Sequence, residues 1–588
     1  MARRGEKATA SYNFVPLPAT VIRSPIDGGA ENDAERQANY KTYVTEHGKL
    51  SGHIELRCRT MTPVFIGTGD KEGAFFAPVG KPILPGSTLR GMVKNIFKIV
   101  TCGAMRGNKD NADFNDRALY YRSFTNQSYK KAMVKSAWVG GHPQSHTQAK
   151  AGFLIHDKWE NQYYICHAEF HRKDDSGLVG KREKVILWDE YKERGGELAC
   201  FTGPMKGKTH YTVHYAPDWG RRSPVSEETI ARYKGDLTRD EALDLFKLAK
   251  RGEAAAHFTG DDACDFVVPC FYKEKEGAVD HFGFGQYYRI PYPYTIGGGG
   301  HLPRAIKDAS AAVDYADAIF GRKELWGSRL AFEDAVLKES KGFEAAHYSK
   351  TLGEPKPTSY QLYLEQEGEK ADRDWGSENA PIRGYKLYWH QAANFPWRKD
   401  EAEFKGNVDR KIRPLKAGSV FDGRIRFKNL SEVELGALLK VFSLAAEDRE
   451  LCFKIGQGKG IGLGSVRIDA ELVLIDEVQG YAQLFAENGD WNIAEKKASM
   501  DEYLKAFDDV IAQLGKTERA RYDLSQQALL DLLDWKAVEQ KDWAARTRQM
   551  TLGSDKNPDE AFDKKVKQFR NRWVLPTAHE VYEEGKGK

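Results

Sequence analysis

Residues 453–467, Phe-Lys-Ile-Gly-Gln-Gly-Lys-Gly-Ile-Gly-Leu-Gly-Ser-Val-Arg, place five glycines within nine positions beside Lys454, Lys459 and Arg467. Glycine lets backbone N–H groups come close to a ligand, and the three cations favour an anion. The chemistry this implies is a grip on phosphates by Gly456, Gly458, Lys459, Gly460, Gly462 and Gly464 that reads no base. A tight turn closing a sheet edge is the alternative reading of the same residues. A P-loop is excluded, because Lys459 is followed by Gly460 and no hydroxyl is available for Mg²⁺. A dinucleotide fingerprint is excluded too: its glycines follow a strand and open a helix, whereas these follow a helix-like run and precede a strand. More than 350 residues upstream, Lys81-Pro-Ile-Leu-Pro-Gly-Ser-Thr-Leu-Arg-Gly91 sets Gly86, Ser87, Arg90 and Lys94 at the start of an apparent helix, a second place for an anion. Phe282–Gly300 supplies Phe284, Tyr287, Tyr288, Tyr292 and Tyr294 around Arg289. Rings of this kind stack on unpaired bases while the arginine meets phosphate, and alternating aromatics equally fill cores, where half or more of these rings are expected.

These segments need elements to hold them. Ile54, Leu56 and Cys58 alternate as one apolar face of a strand beginning at His53. Pro85 and Gly86 close an apolar run, Ser87 is placed to cap a helix, and Leu89, Val93, Ile96 and Phe97 recur at helical spacing to about residue 101. From Ser419, Val420, Phe421, Ile425 and Phe427 form a strand. Ser431-Glu-Val-Glu434 is a capping box for a helix over 431–444, and Leu463, Val466 and Ile468 begin a closing strand. Between about 102 and 410 the pattern changes repeatedly: strand-like pieces at 152–156, 162–166, 184–188 and 211–215, helix-like pieces at 226–233, 239–251 and 310–319. Residues 282–300 carry too many prolines and glycines for a helix or central strand. Residues 1–50 make an N-terminal arm with an extended Tyr12–Pro18 and helix-forming residues at 33–43. After about 485 the chain is an amphipathic helical extension ending in a charged tail.

At 588 residues, 41% hydrophobic and 12% aromatic, the chain suits a multi-unit globular protein with a large interior. Lys and Arg exceed Asp and Glu by only four, so an RNA-binding surface must be a local stripe. Seven scattered cysteines with no Cys-x-x-Cys pair suit a reducing cytosol. No run of about 18 apolar residues is present, which speaks against a membrane span, and the N-terminus lacks a secretory h-region. His142, His146, His156, Cys166, His167 and His171 crowd one region, and Cys264 and Cys270 follow His257, yet none has zinc-finger spacing and no zinc site is expected. Thr202–Lys208 joins glycine and two lysines in a turn, a further candidate RNA contact.

Three of these segments carry a family resemblance: His53-Ile-Glu-Leu-Arg-Cys-Arg-Thr-Met-Thr-Pro-Val-Phe-Ile-Gly-Thr-Gly69, Pro85-Gly-Ser-Thr-Leu-Arg-Gly91 and the glycine-rich loop. Together they resemble the RAMP superfamily of CRISPR-associated proteins, specifically the crRNA-binding backbone-type subunits of type III effector complexes. The motifs cover about a fifth of the chain, and 355–364 and 383–390 resemble pieces of long type III members more softly. The resemblance implies an α+β protein with an RRM-like (ferredoxin-like) core, enlarged by insertions or made of two fused related cores. Its units would be an arm (1–50), the first part of the core (51–101), an inserted mixed region or second RAMP-like domain (102–410), the closing part with the glycine loop (411–485) and the helical extension (486–588). It implies a cytoplasmic ribonucleoprotein subunit with crRNA, target RNA and other type III Cas subunits as partners, acting in antiviral defence. In the family, target-RNA cleavage is associated with an aspartate in the loop after the first strand acting with a divalent metal such as Mg²⁺. Asp70 is the only nearby aspartate, and Gly73–Gly80 holds no acid where that residue would most naturally fall. A crRNA-processing endoribonuclease of the same superfamily is a rival that would need a catalytic histidine near the first helix, with His53 the only one at hand. A non-catalytic assembly subunit is another.

Overall fold

The computed structural model describes residues 7–585, except 70–72, 79, 106–117, 125, 140–141, 175–185, 188–197, 202–209, 310, 353–356, 399–409, 445–447, 486–488, 490, 492–493, 551–564 and 566. The central sheet is built from β1 (Leu50–Thr60), β2 (Ala335–Glu339), β3 (Val420–Leu430) and β4 (Ser465–Ile475). Their order is β4-β1-β3-β2, and every pairing is antiparallel. With α1 (Gly86–Val100) between β1 and β2 and α2 (Glu432–Lys440) between β3 and β4, this is the ferredoxin-like β-α-β-β-α-β arrangement. The mixed α+β, RRM-like core expected from sequence is therefore present.

Alternation decides which face is covered. Ile54, Leu56 and Cys58 of β1, Phe421, Ile425 and Phe427 of β3, and Val466, Ile468 and Leu472 of β4 are buried in one core with Leu89, Val93 and Phe97 of α1 and Leu435, Leu438 and Leu439 of α2. The opposite face is a checkerboard of ions: Arg57 meets Glu339 at 3.1 Å and Asp422 at 3.8 Å, and Arg424 meets Glu55 at 3.1 Å. Among the described residues of these four strands the ring on this face is that of His53, which is buried, so the face is not an aromatic platform for stacked bases. Under α2, Glu434 (side chain 0% exposed) is clasped by Arg329 (5%), whose Nη1 also donates to the Asn429 carbonyl at 2.7 Å. Glu434 completes the expected capping box with Ser431.

Sequence reasoning set the core aside between 102 and 410, but β2 lies inside that span. Only five residues long and half solvated, it carries too short an alternation to stand out. The insertion's own sheet runs Lys250–Arg251, Cys264–Lys275, Lys150–Asp157, Gln162–Asp174, His210–Val225, Leu198–Phe201 and Ile186–Leu187, and helices Glu227–Lys234, Leu245–Leu248 and Glu253–Thr259 lie in the chain between His210–Val225 and Cys264–Lys275. Its four long strands thus stand in the order 4-1-2-3, where the core has 4-1-3-2. Two helix expectations need correction. Residues 239–251 form a short 3-10 turn and a separate helix Leu245–Leu248, because Asp244 caps a new start. The helix expected over 310–319 begins only at Tyr315, after the cap Asp314. The Tyr12–Val15 strand of the arm pairs with Tyr385–Tyr388. α3 (Asp501–Ala512) and α4 (Lys516–Leu533) bury Phe507, Ile511, Leu529 and Leu532 in the central core, so the helical extension is part of it. Among the described residues no helix is long and apolar enough to cross a membrane.

Candidate nucleic-acid interface

The glycine loop connects the short strand Phe453–Lys454 to β4, and the two pair with Phe453 opposite Val466 and Lys454 opposite Ser465. Its compactness explains its glycines. Gly464 has φ +80°, and a Cβ there would lie 2.0 Å from the Ile455 carbonyl oxygen; Gly456, at φ +71°, would meet the Phe65 carbonyl oxygen at 2.5 Å. Much of the loop's backbone is engaged internally. The amides of Gly462 and Gly464 donate to the carbonyls of Lys459 (3.3 Å) and Pro63 (2.9 Å), and that of Gln457 to Phe65 (2.9 Å). Those of Gly456 and Gly458 have no acceptor among the described residues.

Between this loop and the first turns of α1 opens a cleft of about 670 Å³. α1 contributes Ser87, Thr88, Gly91 and Asn95, and the loop Gly456, Gln457 and Lys459, so the two segments singled out in the sequence face each other across it. Lys454 and Lys386 complete the cationic lining, and among the described residues no aspartate or glutamate lines the cleft. Burial depresses all three lysines. The Lys454 amine is lowered to about 7, first by burial and then by the charge of Lys459, while it donates to the Leu463 carbonyl at 3.0 Å. Lys459 and Lys386 are lowered by burial, and the Lys386 amine sits 3.7 Å from the centre of the Tyr12 ring. Desolvated lysines with no carboxylate beside them among the described residues gain more from an anion than exposed ones would, and the positive end of the α1 dipole adds to that field.

Not every expected residue reaches the cleft. Gly86 opens α1 one residue before the expected Ser87 cap: Pro85 is the N-cap, and the Gly86 amide is satisfied at 2.7 Å by Asp334, 248 residues away. Ser87 is thereby left in the cleft wall. Arg90 and Lys94 lie on another side of the helix, where Arg90 donates to the Phe320 carbonyl at 2.6 Å and both stand over the Phe320 ring. Arg467 points to the ionic face of the sheet, paired with Glu450 and Asp469 at 3.3 and 3.4 Å. Arg289 is held by Thr238, the Tyr120 carbonyl (3.0 Å) and Asp236 (3.6 Å), and Phe284, Tyr288 and Tyr292 around it are buried. His53 alternates with Ile54 and so lies on the face of the sheet away from α1; it is buried near Glu55 and Glu495 and its proton affinity is lowered by that burial. Asp70 and Thr202–Lys208 lie outside the described residues. Among the described residues no three His, Cys, Asp or Glu side chains converge as a metal site. Sequence reasoning missed Thr88, Asn95 and Lys386. Helical spacing puts Thr88, Gly91 and Asn95 on one flank of α1, which could have found the first and last of them, whereas Lys386 lies in 383–390, a stretch marked by resemblance and not by charge.

The model of the RAMP superfamily matches residues 57–467, spanning both walls of this cleft. The chain belongs to the RAMP superfamily. No curated protein matches it in sequence. Among solved structures it is similar to a crystal structure of Csm3 from Methanopyrus kandleri, at 13% identity, with 79% of this chain and 98% of that one covered and a TM-score of 0.21, a likeness too slight to bear on function. In this RAMP protein the cleft brings Lys386, Lys454 and Lys459 together at two motifs of its sequence.

Proposed function

We propose that this RAMP protein is a subunit of a type III CRISPR ribonucleoprotein that holds crRNA by its sugar-phosphate backbone in the cleft between α1 and the glycine loop. The observation that carries this is the cleft lining: Lys386, Lys454 and Lys459 with Gly456, whose amide has no acceptor, and no carboxylate among the described residues. A guide subunit must grip any sequence alike, and lysines and amides meet phosphates without reading bases. A target RNA would reach it by pairing with that guide, in a complex with other type III Cas subunits acting against invading RNA. Metal-dependent cleavage of the target would depend on Asp70 with Mg²⁺, and no step of the grip requires it. Binding of the purified chain to a crRNA-like single-stranded RNA tests the grip. Lys459→Ala should weaken it severalfold with folding intact, and equal binding by wild type and variant overturns it.

A second reading, an assembly subunit with a vestigial grip, is favoured by the exposure of Val478 (82%), Tyr481 (78%) and Trp491 (69%) within one short segment. It would bind RNA no better than Lys459→Ala and yet hold other subunits firmly.

A further inference from the structure

The cleft is larger than a backbone grip requires. At about 670 Å³ it lies among the cavities of roughly 300–1,000 Å³ that enclose small organic ligands, and a phosphate group would leave most of it empty. Its lining is of two kinds. Lys386, Lys454, Lys459 and the opening turn of α1 are cationic or polar, whereas Ile66, Met92, Ile96, Leu387 and Phe453 are apolar. Tyr388 joins them, with its ring set edge-to-face on Tyr12 at 6.2 Å, which fixes its plane. Asn95 and Gln457 each bring a donor and an acceptor. Phosphate explains the lysines, Gly456 and the opening turn of α1, but not the apolar residues or Tyr388.

We propose that the cleft takes one whole nucleotide, its phosphate on the lysines and its base against the apolar lining and Tyr388; this rests on the phosphate grip of the same cleft. Stacking and apolar contact accept any base, because every base has a π face, so a variable guide is compatible with such a pocket. A base turned out of a bound RNA and a free nucleoside monophosphate offer the cleft the same groups, and the two sources are separated by experiment.

Gly91 supplies the test. It lines the cleft from within α1, and a Cβ added there meets nothing within 4 Å. Leucine favours helix over glycine, so Gly91→Leu fills the pocket while leaving the lysines and the fold in place, which an unchanged or raised melting temperature verifies. Calorimetric titration of the wild-type chain with AMP, ribose 5-phosphate and inorganic phosphate gives the first arm. AMP should bind at least about tenfold tighter than ribose 5-phosphate, with the advantage lost in Gly91→Leu. The second arm follows 2-aminopurine placed in turn along a single-stranded RNA: at one position its fluorescence should change on binding wild type and not on binding Gly91→Leu. Success in the first arm alone assigns the site to a free nucleotide, and success in the second alone to a base of the chain. If AMP binds no tighter than ribose 5-phosphate and Gly91→Leu changes no 2-aminopurine signal while Lys459→Ala still weakens RNA binding, the nucleotide pocket is overturned and the backbone grip survives. RNA binding indifferent to Lys459→Ala sinks both.

Discussion

Lys454 makes RNA binding depend on pH in a way that can be worked out from its surroundings. Its amine is lowered to about 7, chiefly by burial, with Lys459 adding repulsion. A phosphate brought against it restores the ammonium, so above pH 7 binding must take up a proton. Affinity then falls as pH rises, by up to about tenfold per unit, until the ligand-bound amine itself begins to titrate. Other groups near Lys454 are silent around pH 7: burial holds His390 at about 3 and pushes the Cys452 thiol upward. Lys459 and Lys386 are lowered as well and would extend the fall at higher pH. Fluorescence anisotropy of a labelled single-stranded RNA, between pH 5.5 and 9 at constant ionic strength, follows the effect. Wild type should hold a plateau at the acid end and lose affinity through a midpoint near 7. Lys454→Ala should bind more weakly on that plateau and lack the component near 7. Parallel profiles for the two proteins would refute the assignment of the charge to Lys454.

The same burial affects stability with a definite sign. Because the folded-state value for Lys454 lies below the ordinary 10.5, the unfolded chain holds a proton the native state gives up between about pH 7 and 10.5, and stability rises across that window. Lys454→Met should therefore melt higher than wild type at pH 6 by thermal denaturation, with the gap narrowing towards pH 10. Arg329→Met leaves Glu434 buried without its partner and should cost about 3–5 kcal/mol in urea denaturation; a loss below 1 kcal/mol would show that the pair is not buried as described. Gly464→Ala puts a side chain at φ +80° and 2.0 Å from a carbonyl oxygen, and should lower stability by about 1–3 kcal/mol or more and reduce RNA binding with it, measured by urea denaturation and anisotropy.

The parts of the fold legible in the sequence are those whose pattern is local. Ile54, Leu56 and Cys58 announce β1 by alternation, Leu89, Val93 and Ile96 announce α1 by helical spacing, and Ser431 with Glu434 marks the start of α2. β2 is not legible, because its five residues are too few for alternation to show and set the exposed Val336 beside Leu337, and its place in the sheet comes from register against β3. The capping of α1 was misread for a related reason: Asp334, distant in sequence, does for Gly86 what Ser87 would have done locally. At the cleft, glycine spacing picks out the loop and the helix that form its two walls. Which helix positions face the loop was not given by charge, since Arg90 and Lys94 are drawn to Phe320 while neutral Ser87, Thr88 and Asn95 line the cleft. Lys386 was hidden because a single lysine on a four-residue strand acquires its meaning only when that strand pairs with the N-terminal arm.

The most direct test is the salt dependence of RNA affinity for wild type and for Lys386→Ala/Lys454→Ala/Lys459→Ala. Each phosphate neutralised on a single strand contributes a slope of about 0.7 in log affinity against log salt, so removing three lysine contacts should reduce the slope by about 2, with the variant still folded by thermal melting. Coincident slopes for the two proteins would mean that the cleft does not hold the RNA backbone.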